Sequence, residues 1–186
     1  MVAEVVLLGL LAVATATDLW RHRIYNWTTY PGILAAFGMN ALGAALLRGG
    51  LLGEATLRRL GWIGLADSAM GFLICGGVML VCYVLLQVGG GDVKLIAMLG
   101  AFLGLEQGVT AMLWTFVLGA CLGLIVLVWR VGPLRLVASV GRHLLWMLRL
   151  GRFQPLTPEE RAALQPPLFL APSAMAAAVI VQFSLL

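Results

Sequence analysis

VAEVVLLGLLAVATATDLWRHRIYN, residues 2–26, begins with an apolar stretch in which Glu4 is the single charge, and it turns polar abruptly at Asp18. An apolar run that closes on an acid and a pair of arginines reads as a helix that crosses a bilayer and stops at its surface. No Lys or Arg precedes the run, so it lacks the basic n-region of a secretory signal and is expected to be a retained span over 2–17. The same reading repeats along the chain. It predicts further spans at about 28–47, 61–88, 93–105, 108–129 and 168–186. With 62% hydrophobic and 11% charged residues, a water-soluble fold is excluded. The expected fold is all-α: a polytopic membrane protein with about six transmembrane helices, forming one membrane-embedded domain over 1–186.

The connections carry the remaining pattern. Small residues in the second span, Ala35, Ala36, Gly38, Ala41, Gly43 and Ala44, would allow close helix contact. Arg48 to Arg59 reads as a short polar connection. The third span is longer than a perpendicular crossing needs, and it ends at Gly89, Gly90 and Gly91. The fourth is short and is expected to turn near Glu106. Over 130–167 the chain leaves the hydrocarbon. Arg135, Arg142 and Arg149 recur every seven residues within an apolar background, which predicts an interfacial amphipathic helix over 134–150. A proline-rich loop with Pro155, Pro158, Pro166 and Pro167 follows it.

Orientation comes from the loops. Alternating sides group Arg21, Arg23, Lys94, Arg130, Arg135, Arg142, Arg149, Arg152 and Arg161, nine of the twelve basic residues, against Arg48, Arg58 and Arg59. The positive-inside rule assigns the larger group to the cytoplasm. The net charge of +4 is accordingly read as a report of orientation and not as a nucleic-acid surface.

Asp18 and Asp92 are 74 residues apart, yet this topology puts both at cytoplasmic ends of spans. Acids at the edge of hydrocarbon point to function, the more so when two share a side and a depth. Two carboxylates a few Å apart cannot both ionise easily, so such a pair shares one proton. The ionised member can then take a proton from a water attacking a peptide carbonyl, while the protonated member donates to the developing oxyanion. Neither a metal nor a cofactor is called for. The glycines before Asp92 would admit backbone conformations closed to other residues and let an extended substrate strand approach.

Other polar residues have plainer readings. Asp67 is expected to be solvated near the outer interface or paired with a neighbour such as Ser68. Glu106, Glu159 and Glu160 read as ordinary turn carboxylates. His22 and His143 have no metal-ligand spacing, and Cys75, Cys82 and Cys121 sit singly in apolar stretches as packing residues. Lys94 either tunes the Asp92 carboxylate or marks the interface.

DLWRHRIYN at Asp18 to Asn26, together with GGGDVKLIAMLG at Gly89 to Gly100, resembles the motifs of the type IV prepilin peptidases, the GxGD-type membrane aspartyl proteases. The resemblance extends over nearly the whole chain. It implies that Asp18 and Asp92 are the catalytic pair, with Gly89, Gly90, Gly91, Lys94 and Asn26 supporting the site and the substrate. Tyr25 stands where the family usually has proline, which bears on the loop and not on the chemistry. Longer members carry a cytoplasmic cysteine-rich segment associated with N-methylation. This chain is similar to the short, peptidase-only form of tight-adherence (Flp) pilus systems. The resemblance therefore implies removal of the short leader from prepilin or pseudopilin precursors, at the cytoplasmic face of a bacterial inner membrane, without methyl transfer. Two other readings remain open: a GxGD protease for another single-span precursor, and a non-enzymatic transporter or assembly factor that uses acids and broken helices for ion coupling.

Overall fold

In the computed structural model the described residues are 2–21, 23–86, 88–132, 141 and 170–183, and every regular element among them is an α-helix. In chain order these are α1 (Val2–Arg21), α2 (Asn26–Arg48), α3 (Glu54–Leu60), α4 (Leu65–Leu86), α5 (Gly90–Val131) and α6 (Leu170–Gln182). Four helical stretches, Val2–Arg21, Asn26–Arg48, Glu54–Leu85 and Gly90–Trp129, are long and apolar enough to cross a membrane. Large apolar side chains such as Val5, Leu34, Leu73, Val84 and Leu85 are more than half exposed, as a lipid-facing surface requires. The chain is an all-α, multi-pass membrane protein. It divides into two compact units, residues 1–118 with 169–186, and residues 119–168. The helices that position the site belong to the first. The amphipathic helix and proline-rich loop expected over 134–167 lie outside the described residues, as do His22 and His143.

The first arm of α5 is the centre of that unit. Leu95 to Leu103 are buried without interruption, so this short apolar segment is enclosed by protein on every face. Leu7, Leu11 and Ala14 of α1, Ala36 of α2, Cys75 and Met79 of α4, and Ala174 and Ala178 of α6 complete the same core.

At Gly104 α5 breaks. The backbone there (φ 79°, ψ −170°) is open only to glycine, and Gly108 returns to lie against Gly100. A Cβ on Gly108 would stand 3.0 Å from Gly100 Cα, so the two arms fold back on each other. The break leaves helix-end groups to be satisfied, and α4 supplies both partners. Asp67 Oδ1 accepts the Leu105 N–H at 3.2 Å, and Ser68 Oγ donates to the Ala101 carbonyl at 2.7 Å. Asp67 is therefore a structural cap. Gly71 and Cys75 of α4 meet Gly100, Gly104 and Gly108 in a close small-residue seam.

Three sequence expectations change. The connection Arg48 to Arg59 contains a helix, α3, held by an Arg58 Nη2–Glu54 Oε1 pair at 2.8 Å, buried Leu57 and a left-handed Gly61 cap. The inward face of α2 is Gly32, Ala36, Asn40 and Gly43, whereas Gly38 faces open space. Asn40 was not foreseen. Its Oδ1 accepts the N–H groups of Ile63 and Gly64, and its carbonyl accepts Trp62 Nε1–H, which fixes the entry to α4. Thirdly, Gly90 and Gly91 do not unwind the chain. They form the first turn of α5, and neither they nor Gly89 has positive φ.

Candidate active site

The buried residues of α1 are Ala3, Leu7, Leu11, Ala14, Thr15 and Asp18, a stripe at helical spacing that ends on a carboxylate. Asp18 is 7% exposed, while Leu19, Trp20 and Arg21 beside it face outward. Rotation of α1 by its apolar stripe therefore turns Asp18 into the core. Its Oδ2 accepts the N–H of Ala171, in the first turn of α6, at 3.3 Å.

Asp92 lies in the first turn of α5, partly buried. The turn is closed by the Gly89 carbonyl, which accepts the N–H of Asp92 at 3.0 Å. The Asp92 carboxylate in turn accepts the Gly89 N–H, the return half of a capping box. Asp18 and Asp92 act on each other electrostatically across the gap between α1 and α5. Two helix ends distant in sequence thus bring two acids into one site.

The connection between α1 and α2 packs on the same turn of α5. A Cβ on Gly91 would stand 2.9 Å from Ile24 Cβ and 3.3 Å from its carbonyl oxygen, so glycine is required by close approach and not by an unusual dihedral. Lys94 Nζ donates to Asn26 Oδ1 at 2.8 Å and sits 4.8 Å over the Tyr30 ring. The Lys94 cation is thus engaged by α2. Tyr25 caps α2 with φ −84°, ψ 141°, near the backbone that proline favours, and its hydroxyl accepts from Arg21 Nη1 at 3.3 Å. Tyrosine at this position preserves the extended turn.

All seven residues singled out by sequence, Asp18, Asn26, Gly89, Gly90, Gly91, Asp92 and Lys94, therefore lie at adjoining ends of α1, α2 and α5. A model of the type IV leader peptidase family matches residues 5–124, which contain every one of them. The chain belongs to that family. No curated protein and no solved structure matches it. Membership makes the chain a peptidase. The α6 partner of Asp18 lies outside the matched residues, and sequence reasoning missed it because a backbone N–H has no side-chain signature. The Gly100, Gly104 and Gly108 seam was not foreseen either, although its spacing of four is a small-residue signal that could have found it.

Proposed function

We propose that this peptidase is an aspartyl endopeptidase, and that its whole chain works as one membrane-embedded domain of six spans. In this reading it removes the short leader from type IV prepilin or prepilin-like precursors at the cytoplasmic face of the inner membrane. The observation that carries the reading is the convergence of Asp18 and Asp92, two like charges that act on each other, at adjoining ends of α1 and α5 within the residues that the family model matches. With one proton between them, one carboxylate deprotonates the attacking water and the other protonates the carbonyl oxygen of the scissile bond. Collapse of the tetrahedral adduct returns a proton to the departing amine and leaves the pair ready for another turnover. The substrate's apolar helix lies in the bilayer and its basic leader outside it, attracted by the acids. The glycine turn lets the 23–25 connection pack closely on the first turn of α5 beside Asp92, and, as the resemblance implies, the cut follows a glycine.

Cleavage proceeds without N-methylation in this proposal. The three cysteines all lie in apolar stretches, and no cysteine-rich cytoplasmic segment interrupts the chain between the two motifs.

The test is cleavage of a co-expressed pilin precursor by the wild type, Asp18→Asn and Asp92→Asn, with membrane abundance measured by blot. Each substitution is expected to abolish detectable cleavage at normal abundance, because an amide supplies neither the base nor the shared proton. Persistent cleavage by either variant would remove the aspartyl mechanism.

A further inference from the structure

Asp18 occupies the last turn of α1, where the carbonyl end of the helix disfavours negative charge and burial removes much of its water. A different helix compensates. The Ala171 N–H points at Asp18 Oδ2 from the first turn of α6, whose amide end favours an anion. One turn further along the pair, Thr15 Oγ1 donates to Met175 Sδ at 3.9 Å, which repeats the same antiparallel register. Ala171, Ala174, Ala177 and Ala178 are wholly buried, so α6 is held close by small side chains. The register brings a backbone donor to Asp18.

We infer that α6 is a working part of the active site: the Ala171 N–H positions the Asp18 carboxylate, and the acid pair is competent only with α6 docked on α1. The inference rests on the reading of Asp18 as one of the catalytic pair. It extends the machinery beyond residues 5–124, the part that the family model matches, to a helix near the other end of the chain. Ala171 is a positioning residue and acts through its backbone. Its side chain, a single methyl, has no chemistry to offer.

Deleting the donor alone is the decisive experiment. Lactic acid incorporated at position 171 replaces the amide N–H by an ester oxygen and keeps the side chain. Ala171→Pro deletes the same donor by other means, at a helix start where proline is tolerated. Ala171→Gly removes the methyl and keeps the N–H. With purified full-length enzyme and a synthetic precursor, the ester and proline forms are expected to lose at least about tenfold in kcat, the scale of a hydrogen bond to a charged group, with KM within about twofold. The glycine form should cleave within about twofold of the wild type. Wild-type kcat in a folded donor-deleted form overturns the inference. So does a glycine form as slow as the ester, because packing and not the donor would then be the cause. Asp18→Asn in the same assay separates the two levels: if it cleaves normally the catalytic reading itself fails, and if it is inactive while the ester form is normal, only the role of α6 fails.

Discussion

Gly91 and Lys94 flank Asp92 and act on the site by different means. At Gly91 the constraint is steric, since Ile24 fills the space a side chain would need. Gly91→Ala should displace the 23–25 connection, and cleavage is expected to fall about tenfold with little change in abundance, read by precursor processing against a membrane blot. Normal processing would show that the connection moves without consequence. At Lys94 the constraint is electrostatic, because Nζ is shared between Asn26 Oδ1 and the Tyr30 ring. Lys94→Met and Asn26→Ala remove the two sides of one bond, so the double variant should lose less than the sum of the singles. Additive losses would mean that Lys94 serves the reaction by another route. The aspartates, the glycines and the lysine were all legible in the sequence. Asn26, the partner of Lys94, was singled out too, whereas Ile24, Tyr30 and Ala171 were not, because nothing in their sequence context marks them as contacts.

At the scale of elements, α5 shows why a hydropathy pattern stops short of geometry. The run from Val93 to Leu105 predicts a short span that turns near Glu106, and the turn occurs at Gly104, two residues earlier. What fixes it is Asp67, a residue of α4 that sequence alone left between a solvated acid and a paired one. Along the first arm, Asp67 and Asp92 are separated by about 18 Å, at 1.5 Å per residue, so the cap is remote from the acid pair. Asp67→Leu would remove the acceptor of the exposed Leu105 N–H bond and should lower stability by about 0.5–1.5 kcal/mol, seen as a lower melting temperature in detergent. Asp67→Asn keeps an acceptor and should lose less. Cleavage per folded molecule should be unchanged in both, and a catalytic defect at full stability would instead assign Asp67 to the reaction. The small-residue seam of Gly71 and Cys75 against Gly100 and Gly108 belongs to the same scale, since it lets α4 come close enough for Asp67 and Ser68 to reach the break.

For the whole molecule the expected behaviour is that of an enzyme whose chemistry is local to one membrane face. Detergent-solubilised protein, with no ion gradient and no methyl donor, should cleave a synthetic precursor and release an unmethylated product, checked by mass spectrometry. Cleavage that requires a gradient would favour the ion-coupled reading. Membrane residence and the all-helical class follow from the sequence by itself, because apolarity is a property of each residue and its sum over a segment decides whether water or lipid is the better solvent. The two acids were also marked by sequence, since charge at the end of an apolar run is costly wherever the run is placed. Only the tertiary structure decided which groups meet. Asp18 and Asp92 act on each other's charge across 74 residues, and Asp18 accepts the Ala171 N–H across 153. Such contacts depend on how each helix is rotated and how closely small residues let it approach. Rotation and approach are set by the packing of all the helices together, and no segment carries that information alone.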